Sequence, residues 1–202
     1  MREPIKIAVL FSGGGTNLQA LIDAERAGLI QSGSLSLVLS NKADAYALER
    51  AKGADIPTAV VLRRDCADAE EFETRLMQTL DTHGIELIVL AGFMSILSER
   101  FTSRYARRII NVHPSLIPSF CGKGFYGLHV HEAALAYGVK VTGATVHFVN
   151  EIPDGGEIIL QKAVDILPGD TPEVLQRRVV EEAEWRILPA ATEQVCRQMR
   201  GA

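Results

Sequence analysis

The sequence is poor in cysteine, and its three residues, Cys66, Cys121 and Cys196, are odd in number with no C-x-x-C pair. That argues against a disulfide framework and for a reduced, cytoplasmic protein. Long apolar runs are missing. The longest are of strand length, far short of the ~20 residues that span a bilayer. The opening "MREPIKIAVLF" lacks the basic, apolar and small-residue regions of a signal peptide. A basic surplus is missing too: the net charge is −4, which argues against nonspecific nucleic-acid binding. Repeats, linkers and low-complexity stretches are absent, so a single domain over 1–202 is expected.

What is present is alternation. Strand-like runs at 5–11, 34–40, 58–62, 85–92 and 107–112 are separated by helical patterns at 16–28, 44–53, 68–84 and around 97–106. Such alternation with short turns implies an α/β fold with a doubly wound, mostly parallel, Rossmann-like sheet. Ligands then bind beyond the carboxyl ends of the strands, where Gly13, Gly92 and His113 fall. Two later runs, 138–149 and 156–166, flank the turn-rich "NEIPDG" and predict an antiparallel C-terminal hairpin. A terminal helical region follows over 170–199, with a break or kink expected at Pro189.

The first strand ends in "FSGGGTNLQ". Glycines there let backbone N–H groups converge on an anion at a helix N-terminus. The dinucleotide fingerprint fails, because Leu18 holds its third glycine position and Ser40-Asn41-Lys42 follows the second strand in place of an acid. The P-loop pattern fails for want of Gly-Lys-Ser/Thr. A phosphomonoester site remains, beside a plain βα turn with no ligand.

"INVHPSLIP" sets Asn111 and His113 two residues apart at a strand end, so both side chains point one way. An amide can donate to a developing oxyanion, and an imidazole can stabilise that charge or move a proton. A histidine in such a role needs a carboxylate to orient it, and Asp154 in "NEIPDGGEI" offers one, its glycines permitting a sharp turn into a cleft. The plainer alternative is that all three satisfy loop backbone groups.

Taken together, "LFSGGGTNLQALI", "AGFMSILS", "INVHPSLIP" and "GATVHFVNEIPDGG" resemble the phosphoribosylglycinamide formyltransferase family, over about residues 5–190. The resemblance implies transfer of a formyl group from the co-substrate 10-formyltetrahydrofolate to the amine of glycinamide ribonucleotide in purine biosynthesis, without a metal. It places the catalytic residues on Asn111, His113 and Asp154, the last holding a protonated His113. It places the phosphate and ribonucleotide contacts on Gly15, Thr16, Asn17 and Glu184. It places the folate pocket on Met94, Ser95, Ile96 and Leu97 and on Asn150, Glu151, Ile152 and Pro153. The expected partners are these two small molecules, with no nucleic acid and no membrane, in a monomer or homodimer.

Some stretches depart from the family's pattern. Ala69 stands where an arginine often helps to bind ligand, and the role is assigned to neither Arg63 nor Arg64 of the preceding loop. The loop 119–129 is longer, and its Lys123 is either a solvated surface residue or a contact to an anionic ligand. The last helix is one residue longer before Glu184, which leaves a second phosphate contact near Glu181 open. His129 and His131 form an H-x-H without a third ligand, and His147 reads as a hydrogen-bonded structural residue, with a place facing the cleft as the alternative. Formyltetrahydrofolate hydrolase and methionyl-tRNA formyltransferase share the catalytic logic. The first is expected to need a preceding regulatory domain and the second a following tRNA domain, and neither is accommodated by this chain. A noncatalytic phosphate-binding module is the remaining alternative.

Overall fold

Among the described residues seven strands form one sheet in the order β3-β2-β1-β4-β5-β6-β7. The computed structural model describes residues 3–201; residues 1, 2 and 202 of the expected domain lie outside the described ones. Strands β1 (Ile5–Phe11), β2 (Gly33–Ser40), β3 (Thr58–Val60), β4 (Leu87–Leu90) and β5 (Ile109–His113) run parallel. Strands β6 (Val141–Phe148) and β7 (Ile158–Asp165) add on antiparallel, as the hairpin pattern predicted. All four residues of β4 are buried, which is why its sequence reads as a continuous apolar run with no period of two.

Helices cover both faces. On one face α1 (Thr16–Arg26), α2 (Tyr46–Lys52), α6 (Pro172–Val179) and α7 (Trp185–Met199) pack against Ile7, Val9, Leu87, Val89, Ile110 and Val112. On the other, α3 (Ala69–Thr82) and α4 (Glu99–Arg104) pack Phe72, Leu76 and Phe101 against Leu10, Ile88 and Ile109. Helix α5 (Leu128–Tyr137) connects β5 to β6. The buried stripe Leu175, Val179, Ala183 and Ile187 holds the C-terminal helices to the sheet.

Of the break or kink expected at Pro189, the break is not there. Helix α7 runs through Pro189, and the irregularity lies one turn earlier, as a π-helical stretch at Val180–Glu184. A proline removes one N–H and crowds the carbonyl four residues back, here Trp185, where the widened turn ends. A π turn also takes in more chain than an α turn, and the stripe Leu175, Val179, Ala183 and Ile187 stays buried across it.

Candidate active site

The sheet order places a crevice between β1 and β4, which lie side by side while their connections leave on opposite faces. The turns after these strands are tied together. Ser12 N–H donates to the Gly92 carbonyl (3.1 Å), and the Ser12 hydroxyl accepts from Met94 N–H (2.9 Å). The next strand along, β5, delivers Asn111 and His113 to the same end.

Asn111, His113 and Asp154 come together. His113 is buried, its Nδ1 lies 3.5 Å from Asp154 Oδ2, and its Nε2–H donates to the Phe120 carbonyl (2.9 Å). The carboxylate expected beside His113 thus lies next to its ring. The expected protonated imidazole meets an opposing force, because burial pushes the His113 pKa below its ordinary value while Asp154 pulls it up. For Asp154, burial acts to raise the pKa, but His147, His113 and the Gly122 N–H outweigh it and hold the carboxyl below its usual range.

Two contributors lie outside the expected site set. The first is His147, expected as a hydrogen-bonded structural residue with a cleft-facing position as the alternative. It is paired directly with Asn111 across β5 and β6. Its Nδ1–H donates to the Phe148 carbonyl (2.8 Å), and Nε2 faces Asn111 Nδ2 (3.2 Å), an amide N–H that can only donate. Nε2 is also 3.5 Å from Asp154 Oδ1. The period-two pattern put His147 on the face opposite Val146 and Phe148, which was the available signal. The second is the 119–129 loop. Phe120 touches His113 through its carbonyl, and Gly122 N–H donates to Asp154 Oδ2 (2.8 Å). These are backbone contacts, which side-chain patterns do not report. Lys123 is exposed.

The Asp-Gly-Gly turn works differently from its expected form. The left-handed residue is Asp154 itself (φ 55°), and neither following glycine has a positive φ. Gly156 is needed for close approach: a Cβ there would lie 1.7 Å from the Phe148 carbonyl oxygen. The "HPSLIP" turn is anchored by buried Thr145, whose hydroxyl donates to the Ser115 carbonyl (2.7 Å) and accepts from Ile117 N–H (3.1 Å).

A cavity of about 530 Å³ opens on one side of β5, bordered by Thr16, Asn17, Pro114, His131, Arg177 and Glu184 among others. Gly15 caps α1 in the left-handed region (φ 72°) with no side chain to occupy the first-turn N–H groups, which leaves them as anion donors. Asn17 Nδ2 donates to Glu184 Oε2 (2.6 Å), joining the two expected ribonucleotide contacts. Burial pushes the Glu184 carboxyl above its ordinary pKa, against the Asn17 hydrogen bond. Glu181 borders the same cavity, with Arg177 one turn earlier.

A smaller cavity of about 130 Å³ is bordered by Ser95, Ile96, Leu97, Asn111, His147 and the loop Asn150, Glu151, Ile152, Pro153 and Asp154. Of the expected folate residues only Met94 is outside its lining. Ile96 and Ile152 are 77% and 58% exposed, so this rim offers apolar surface to a flat ring. Arg63 and Arg64 are exposed in a short 3₁₀ turn and border neither cavity.

The H-x-H does not form a pair. Residues two apart on a helix point about 200° apart, so His129 is exposed against Glu132 (2.8 Å) while His131 is buried. Among the described residues no helix is long and apolar enough to cross a membrane.

The formyl transferase family model matches residues 5–192. The chain is 47% identical to the phosphoribosylglycinamide formyltransferase of Haemophilus influenzae, over 91% of this chain and 84% of that one. It is 44% identical to the human trifunctional purine biosynthetic protein adenosine-3, over 96% of this chain but only 18% of that protein. The crystal structure of glycinamide ribonucleotide transformylase 1 from Symbiobacterium toebii superposes with a TM-score of 0.90 at 42% identity, covering 96% of this chain and 89% of that one.

Proposed function

The chain belongs to the formyl transferase family, and on that premise we propose that it moves a formyl group from 10-formyltetrahydrofolate to the amine of glycinamide ribonucleotide, a step of purine synthesis. One observation carries the assignment of roles: Asn111, His113 and Asp154 converge at the end of β5, which borders both cavities. The larger cavity, with the open α1 N-terminus, suits a ribonucleotide phosphate. The smaller, apolar-rimmed one suits the pterin.

The acceptor's neutral amine attacks the formyl carbon and a C–N bond forms. The carbonyl electron pair moves onto oxygen. Asn111, held by His147, donates an N–H to that oxygen. His113 donates from Nε2, the formyl oxygen replacing the Phe120 carbonyl as acceptor, and in the protonated ring its Nδ1–H faces Asp154. The attacking nitrogen's extra proton passes, through Asp154 or a water it holds, to the departing folate nitrogen. The C–N bond to folate then breaks and the carbonyl re-forms. Donors aimed at the developing oxyanion stabilise the transition state more than the ground state. No covalent enzyme intermediate is required.

The test compares two tubes. Formyltetrahydrofolate with enzyme alone is expected to remain nearly inert, because water lacks the phosphate tether that holds the acceptor. Added glycinamide ribonucleotide is expected to yield tetrahydrofolate and formylated product in equal amounts. Rapid formate release without acceptor, and no formylated product with it, would replace the transferase reading with a hydrolase.

A further inference from the structure

His131, in the second turn's approach of α5, is fully buried, and neither ring nitrogen has a hydrogen-bond partner among the described residues. An unpaired buried polar group costs the folded state stability unless a ligand or water satisfies it. His131 borders the larger cavity. So does Asn17, whose Oδ1 is likewise shielded and unpaired while its Nδ2 is committed to Glu184. Two separate elements, α1 and α5, thus hold shielded, unsatisfied polar atoms in side chains that border one space.

Burial and the neighbouring His113 push the His131 pKa down to about 4, so the ring is neutral near pH 7. A neutral imidazole offers one N–H and one lone pair. That suits an uncharged group that both accepts and donates, and is wasted on a phosphate. Position selects among such groups. Thr16 and Asn17 mark the phosphate end, Glu184 is bonded to Asn17, and His131 lies within electrostatic range of His113, where the amine must arrive. The group between a phosphoribose and that amine is the glycinamide's own amide, with one C=O and one N–H.

We infer that His131 is a substrate-binding residue that reads the amide of the acceptor. The inference rests on the ribonucleotide reading above and adds to it a residue outside the expected site set.

The experiment uses calorimetric binding and thermal melts of wild type, His131→Leu and His131→Gln, with glycinamide ribonucleotide and with ribose 5-phosphate, which lacks the amide. Without ligand, His131→Leu should melt no lower than wild type and about a few degrees higher, since an unpaired buried polar group is removed. It should bind the ribonucleotide roughly tenfold or more weakly, as expected for one or two lost neutral hydrogen bonds. Its affinity for ribose 5-phosphate should be unchanged. His131→Gln, which keeps a donor and an acceptor, should recover part of the loss. Equal ribonucleotide binding by wild type and His131→Leu would overturn the inference, as would an equal loss for both ligands. Failure of the wild type itself to bind the ribonucleotide would instead refute the functional reading beneath it.

Discussion

Asn111 Nδ2 sits 3.2 Å from His147 Nε2, across directly paired positions of β5 and β6. The contact uses one amide N–H and leaves the other free for a substrate oxygen. His147 thereby sets the direction of a donor without supplying one. His147→Phe keeps the ring's bulk and removes the acceptor. It should lower kcat by roughly 10²-fold, the cost of a small misplacement of a catalytic group, with little change in KM for the ribonucleotide. A rise in KM at unchanged kcat would show that the histidine serves binding instead.

Replacing Asn111, His113 or Asp154 by alanine should leave a folded protein. Each change should reduce kcat by about 10²–10³-fold, the usual loss for one oxyanion donor. Because Asp154 faces both histidines, at 3.5 Å from each, its effect and that of His113 should overlap. The double variant should therefore be less impaired than the product of the single losses. Steady-state kinetics of the three single variants and one double variant measure this; near-normal turnover in His113→Ala would remove the mechanism.

Gly15 should be needed for the turn itself. A Cβ at Gly15 would lie 2.3 Å from the Ala47 Cβ on α2. The positive φ adds roughly 1–2 kcal/mol of backbone strain for a residue with a side chain. Gly15→Ala should destabilise the fold, and Ala47→Gly in the same chain should restore the steric part but not the strain. Chemical denaturation of the single and double variants separates the two; no rescue by Ala47→Gly would place the clash elsewhere.

Removing the acceptor's phosphate should weaken binding about 10²-fold or more, since hydrogen bonds to a charged group are each worth about 1.5–3 kcal/mol. Competition of the dephosphorylated analogue against the ribonucleotide measures it. Equal affinity would take the phosphate away from the α1 N-terminus.

Acid should destabilise the protein from about pH 6.5 downward. His131 titrates near 4 when folded against 6.5 when unfolded, and His113 is shifted the same way. Below the unfolded value the unfolded chain binds more protons, so stability rises with pH through this window and is lost as pH falls. Above it neither ring contributes a slope. For His131 the full loss is on the order of 3 kcal/mol. Asp154, held below its usual range, continues the trend at lower pH, being stabilising above its unfolded value and losing that as pH falls through its folded one. Urea midpoints between pH 7 and 4.5 should show the decline, and His131→Leu should flatten it. An unchanged slope in that variant would show that His131 is protonated without penalty.

Much of this molecule was legible beforehand because the signals are local. Apolar period, glycine and proline positions and helix caps act within a few residues. They placed the parallel strands and the hairpin to within a few residues, and they put Asn111 and His113 on one face of β5. Pro189 misled, because a local rule says that proline ends a helix. Burial of Ile187, Leu188 and Ala191 against the sheet holds α7 together, and the irregularity moves to Val180–Glu184.

The sequence by itself determined which residue types stand at each strand end and which turns can hold an anion or a carboxylate. Tertiary structure alone decided which of them meet. Asn17 and Glu184 are 167 positions apart and 2.6 Å distant. Phe120 and Gly122 reach His113 and Asp154 through backbone atoms that every residue possesses. His129 and His131 look alike in the chain, yet one is solvated and the other is sealed beside the larger cavity. The physical reason is that local geometry follows from short-range sterics and hydrogen bonding, whereas burial and long-range pairing depend on how whole faces pack.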